Sequence, residues 1–221
     1  MPKPLHWFGK MGALLGLSGG LLVGCVSTPT SPIPPNAEAA SKMSELLAAL
    51  DDQAPTWKIG DHWEYSDGYT LDVDELSPDG LTRFQRKGAS EGWIKRKGLF
   101  KVQEHDGDSL RQVVFNSRNP ESLFPLRVGN RVTYIREYMK EQTQLRHETI
   151  WTVEGLDILE TPAGKFDCWV LTMSTRSLDS NWTGYEKWWY SPEARHYVRM
   201  EYQYGNVPPS SRVLMRYHVA P

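Results

Sequence analysis

The chain has 221 residues, with 25 basic and 27 acidic side chains and a formal charge of −2. Its length allows one domain of ordinary size, or two small ones, with a real core. The slight acidity excludes general attraction to nucleic acid or anionic lipid, and Lys95-Arg96-Lys97 reads as one solvated strand end rather than a binding patch.

Residues 1–24 form a leader. Lys3 and Lys10 make a positive start, and Met11 to Gly24 follow without a charge. A stretch this short falls below the ~20 residues a helix needs to cross a bilayer, and it suits the apolar region of a secretory signal. Glycines 12, 16, 19 and 20 also weaken it as a permanent span. Removing the leader takes away two lysines and no acid, which moves the formal charge from −2 to −4.

Leu22-Val23-Gly24-Cys25 resembles the lipobox of bacterial lipoproteins. The resemblance implies cleavage between Gly24 and Cys25, a diacylglycerol on the Cys25 thiol and an acyl chain on its new amino group. One chain holds a protein only marginally, at roughly 10⁴ M⁻¹, whereas two or three anchor it durably. Residues 25–36 are then the lipidated cysteine and a Pro/Ser/Thr-rich tether, too poor in apolar surface to fold. In Gram-negative lipoproteins an Asp after the cysteine marks inner-membrane retention. Val26 stands there, so the resemblance implies the periplasmic face of the outer membrane.

Residues 37–54 predict an amphipathic helix. Asn36 is a good N-cap, Met43, Leu46, Leu47 and Leu50 make one apolar stripe, and Pro55 ends it. Such a stripe either packs on the following domain or receives a partner.

Residues 55–221 predict a β-rich domain, with possible units 55–122 and 123–221. Val132, Tyr134 and Tyr138 alternate with polar neighbours. So do Leu145, His147, Thr149, Trp151 and Val153, then Val198, Met200, Tyr202 and Tyr204. Val213, Met215, Tyr217 and Val219 close the series as the apolar face of the last strand. Turn signals fall at Ser66-Asp67-Gly68, Pro78-Asp79-Gly80, Asp106-Gly107-Asp108, Pro162-Ala163-Gly164 and Gly205-Asn206. About ten to twelve antiparallel strands follow from that rhythm, as a curved sheet, an open barrel or a sandwich.

An internal echo runs between Trp57-Lys58-Ile59-Gly60-Asp61-His62-Trp63-Glu64-Tyr65 and Leu126-Arg127-Val128-Gly129-Asn130-Arg131-Val132-Thr133-Tyr134. In each copy a turn at Gly-Asp or Gly-Asn would feed a strand with large alternate side chains. Two related β-units packed as one body is the arrangement it suggests.

Three further stretches occur in order: Phe124-Pro125-Leu126-Arg127-Val128-Gly129, Thr161-Pro162-Ala163-Gly164-Lys165-Phe166-Asp167-Cys168, and Glu186-Lys187-Trp188-Trp189-Tyr190-Ser191-Pro192-Glu193. The series resembles a β-rich module of uncharacterised bacterial exported proteins and lipoproteins. That resemblance implies fold and location and brings no active site.

No catalytic signature is present, neither a Gly-x-Ser-x-Gly elbow, nor His-Glu-x-x-His, nor a phosphate loop. His62, His105, His147, His196 and His218 have no metal-ligand spacing and read as surface or sheet residues, so no metal and no cofactor beyond the lipid on Cys25 are expected. Asp72, Asp74 and Glu75, and His105-Asp106-Gly107-Asp108, lack the calcium-loop pattern and read as solvated hairpin ends. Cys168 has no partner once Cys25 is lipidated, and its strand context makes it a buried, inert thiol.

Aromatic residues are the one excess. Trp188 and Trp189 are adjacent on a strand and must face opposite sides, so at least one meets more than solvent. With Trp151 and Trp63 they form the candidate ligand or partner face. Two functions fit: an envelope interaction or assembly module with a filled interior, contacting another envelope protein, and a carrier holding a lipid, acyl chain or glycan against an aromatic sheet face. Packing accounts for most aromatics, which leans toward the former, and enzymatic activity is not expected.

Overall fold

A computed structural model describes residues 41–221 apart from 43, 47, 89, 90, 108, 141 and 142. The leader, Gly24 and Cys25, the tether, Asn36, Met43 and Leu47 lie outside the described residues. Period-two alternation between short turns produces twelve strands. The first six are β1 (His62–Tyr65), β2 (Thr70–Leu76), β3 (Thr82–Lys87), β4 (Gly92–Lys97), β5 (Phe100–Asp106) and β6 (Ser109–Phe115). After a 3-10 turn at Pro120–Leu123 come β7 (Arg131–Lys140), β8 (Thr143–Thr161) and β9 (Gly164–Ser177). The last are β10 (Thr183–Ser191), β11 (His196–Tyr204) and β12 (Ser210–His218).

Each strand pairs antiparallel with its neighbours in sequence, and β1 pairs with both β2 and β12. The sheet is therefore a closed up-and-down barrel rather than an open one or a sandwich, and closure leaves no free edge. Residues 55–122 and 123–221 supply six strands each to this one barrel. Four of the five turn signals lie where one strand hands over to the next; the fifth, Asp106-Gly107-Asp108, includes Asp108, which is outside the described residues.

The echoed turns are built alike. Gly60 N donates to Val73 O at 3.1 Å, as Gly129 N does to Val153 O at 2.9 Å. Asp61 N donates to Lys58 O and Asn130 N to Arg127 O. Both glycines have positive φ, 95° and 88°, which a side chain would strain.

The last strand departs from the expected facing. Leu214 is fully buried and Arg212 also turns inward, whereas Met215 is exposed. A bulge in the β1–β12 ladder at Glu64/Tyr65 accompanies the change, and a one-residue shift exchanges faces. The expected row Val213, Met215, Tyr217 and Val219 is thus split at the bulge: Tyr217 and Val219 pack against the core, whereas before it the inward residues are Arg212 and Leu214.

One end of the barrel is closed. Trp57 Nε1 donates to Arg195 O at 2.8 Å and Trp63 Nε1 to Ala194 O at 2.7 Å, docking the β10–β11 turn across the opening. Buried Asp61 receives Arg195 Nη1 at 3.1 Å and Ala220 N at 2.7 Å. The chain enters at this end. Leu46 and Leu50 pack on the core from the helix, Asp52 O accepts Leu126 N at 2.7 Å, and Asp51 O accepts Trp169 Nε1 at 3.0 Å. That part of the stripe is thus taken up by the chain's own barrel.

The outer face carries ion pairs, including Arg83–Asp74 at 2.9 Å, Arg176–Glu148 at 2.9 Å and Arg216–Glu64 at 2.8 Å. Apolar side chains are inside and charged pairs outside, the reverse of the lipid-facing apolar band of a membrane-spanning barrel. Asp74 and Glu75 belong to this belt, along β2 rather than at a hairpin end, with Lys95 on Glu75 at 3.2 Å.

Candidate ligand-binding cavity

At the end away from the chain's entry the interior is not filled. A cavity of about 380 Å³ lies there, within the lower range of small-molecule pockets. Its rim comes from odd-strand ends and even-strand starts, with Tyr69 at the β1–β2 turn, Tyr138 late in β7, Trp182 just before β10 and Tyr204 at the end of β11. Arg96, Leu99, Phe100 and Lys101 line it from around the β4–β5 turn. Strand alternation aims these side chains inward, so the apolar row of each strand continues upward into polar residues.

The lining is cationic. Arg86, Arg96, Lys101, Arg111, Arg136 and Arg212 face Glu104 and Glu186. Glu104 serves three of them, with Arg86 Nη1 at 2.7 Å, Lys101 Nζ at 2.8 Å and Arg111 Nη1 at 3.7 Å. Burial pushes the Glu104 carboxyl up, but those cations outweigh it and hold it at about 2. Lys101 is shifted down because burial disfavours its charge more than Glu104 supports it. Arg212 pairs with Asp67 at 2.9 Å and lies 4.1 Å over the Tyr69 ring.

Two guanidiniums have no carboxylate partner among the described residues. Arg96 donates to Leu99 O at 2.6 Å and stands 5.5 Å over Trp188. Arg136 is 92% buried (8% exposed), its Nε has no hydrogen-bond partner, and the group sits 4.8 Å over Tyr138. Glu186 is engaged by neutral donors, Trp188 Nε1 at 2.7 Å and the Tyr204 hydroxyl. Burial pushes the Tyr134 hydroxyl up to about 12, and it accepts Trp151 Nε1 at 3.2 Å.

Trp182 roofs part of this space. It stacks on His147 with centroids 4.9 Å apart and faces Tyr204 at 6.4 Å. The indole fits because Gly184 has no side chain: a Cβ there would stand 2.9 Å from Trp182 Cη2 and from Thr175 Cγ2. Burial first, then the charge of Arg136, holds His147 down at about 4.

The four candidate tryptophans do not share one surface. Trp151 and Trp188 line the cavity, their rings edge to face at 5.2 Å. Trp63 is fully buried in the closed-end core, between Phe84 and His196. Trp189 faces away from the interior, donating to Asp157 Oδ2 at 2.9 Å, with Lys187 and Arg199 over its ring at 4.7 and 4.9 Å. Cys168 is fully buried, and its thiol is pushed up to about 12 by burial and two nearby aspartates.

Most of the lining was hidden in the sequence. Lys95-Arg96-Lys97 is not one solvated strand end: Lys95 pairs on the outer face, Lys97 with Glu121, and Arg96 turns into the cavity. A bulge at Lys95/Arg96 in the β4–β5 ladder lies beside it. A usable signal existed in the step of two from buried apolar residues to arginine: Phe84 to Arg86, Ile94 to Arg96, Tyr134 to Arg136, and Leu214 back to Arg212. Nor is the cavity the apolar one a carrier of acyl chains requires, since arginines and tyrosine hydroxyls ring it.

No protein-family model and no curated protein sequence matches the chain. Among solved structures, the hypothetical lipoprotein YmcC of Escherichia coli K12 is similar over 84% of this chain and 96% of its own, at 11% identity and a TM-score of 0.51. A candidate exported protein of Bacteroides fragilis with a YmcC-like fold aligns over 76% of this chain and 99% of its own, at 15% identity and a TM-score of 0.46. A candidate lipoprotein of Parabacteroides distasonis aligns over 76% and 100%, at 18% identity and 0.39. The chain thus has a mainly β fold, a closed antiparallel barrel of twelve strands, similar to that of YmcC.

Proposed function

We propose that this protein is a lipid-anchored envelope module that binds a small polar molecule in the open end of its barrel and carries out no catalysis. The observation that carries this reading is the cavity's position and lining. It lies opposite the end where the chain enters, so a membrane anchor on Cys25 leaves its mouth facing the aqueous side. Half-buried tyrosines, three tryptophan faces and guanidinium groups supply stacking surfaces and donors of the kind that orient polar ligands. A glycan or polar headgroup suits that lining, and an acyl chain does not. The unfilled open end leaves the assembly role without its expected solid interior.

The anchor follows from Leu22-Val23-Gly24-Cys25, and Val26 directs the protein to the periplasmic face of an outer membrane. Two measurements test the proposal. Cys25→Ala should leave the leader uncut or release the protein from membranes, and normal processing with continued membrane attachment refutes the anchor. Native mass spectrometry of the full lipoprotein, extracted in mild detergent, should show a non-covalent small molecule. An empty barrel that co-purifies instead with a stoichiometric protein partner refutes the binding role in favour of assembly.

A further inference from the structure

We infer that the cavity is an anion site, taking a sugar-sized ligand that bears a phosphate or carboxylate group, with Arg136 as its principal charged contact. The inference rests on the binding reading above and names the ligand class. Six cations line the space, while the carboxylates within reach of them are Glu104, Glu186, Asp67 and Asp106. One carboxylate, Glu104, is divided among three cations, and Glu186 is occupied by a tryptophan and a tyrosine. The surplus positive charge falls on Arg96 and Arg136.

Arg136 carries the argument because it is buried and incomplete. A buried guanidinium without a counter-ion is expensive, and buried polar groups are rarely left unpaired. The Tyr138 ring beneath Arg136 replaces only part of its lost hydration. A planar fork of N–H donors that lacks a carboxylate is matched by one oxyanion with two oxygens in a plane. Such a charge is also a local feature, since the whole chain is formally −2. Around it, the Trp151, Trp182 and Trp188 faces and the Tyr134 and Tyr204 hydroxyls can hold the ring and hydroxyls of a sugar.

The test titrates the full lipoprotein, in neutral detergent, with glucose 1-phosphate, glucuronate and glucose by calorimetry at 50 and 300 mM NaCl. Both anions should bind at least about tenfold more tightly than glucose and weaken in the higher salt. Arg136→Met should lower the affinity for the anions at least about tenfold and raise Tm, because it removes an unpaired buried charge. If Tm falls instead, Arg136→Lys decides: restored stability with restored anion preference supports the site, and restored stability without it overturns the site. Equal binding of glucose and the anions sinks the anion inference while leaving the binding reading intact. Absence of binding by either anion at 10 mM overturns the inference, and the binding reading also falls if the native protein carries no small molecule.

Discussion

Acid should weaken this barrel through His147. The ring is buried on β8, stacked on Trp182 and facing Tyr138 at 4.9 Å, and its Nδ1 has no partner. Burial and Arg136 hold it at about 4, against an ordinary value of 6.5. The unfolded chain therefore takes up a proton below 6.5 that the folded chain refuses until about 4. At roughly 1.4 kcal/mol for each tenfold difference in proton affinity, the loss is at most ~3.5 kcal/mol. Solvent reaching the ring through the mouth reduces that to roughly half. Stability is fully present above 6.5, falls with pH, and levels off near 4 as far as this residue is concerned. Urea unfolding of the wild type and of His147→Gln at closely spaced pH values from 7.5 to 3.5 measures it. The difference between the two proteins should change by about 1–3 kcal/mol across that window, with the variant gaining at low pH. Parallel curves for the two proteins refute the assignment of a buried neutral imidazole. His196, shifted down by burial in the aromatic core, acts in the same direction in both proteins and cancels from the comparison.

Two stability predictions bear on packing. Leu214→Ala should cost about 2–5 kcal/mol as a core truncation, whereas Met215→Ala should stay within about 0.5 kcal/mol; the opposite order in thermal unfolding would mean that β12 faces the other way. Gly184→Val should displace Trp182 from its seat, costing about 1–3 kcal/mol by overpacking. Its intrinsic fluorescence should change with it, and an unchanged spectrum with unchanged Tm would show that Trp182 does not rest on this glycine.

Local chemistry made much of the fold legible. The turns at Ser66-Asp67-Gly68, Pro78-Asp79-Gly80, Pro162-Ala163-Gly164 and Gly205-Asn206 separate strands because Gly and Pro dictate backbone geometry within a few residues. The echo around Gly60 and Gly129 could be read for the same reason, since each turn needs a residue that tolerates positive φ. Inward rows such as Val198, Met200, Tyr202 and Tyr204 followed from period two alone.

Other features depended on partners distant in the chain. Closure of the barrel is decided by β1 meeting β12, about 150 residues apart as in Glu64 and Arg216, and no local pattern records that pairing. A bulge decided which residues of β12 turn inward, because its extra residue, Met215, exchanges the faces of the residues on either side of it. The cavity is likewise tertiary. Arg86, Arg96, Arg136 and Arg212 sit on four separate strands, each unremarkable by itself, and only closure places them around one space with too few carboxylates. By itself the sequence determined a β-rich chain of many short strands, and raised the expectation of a lipid anchor at Cys25, through signals confined to short windows. Tertiary structure decided what the interior holds, because burial and charge balance are properties of side chains brought together from the whole length of the protein.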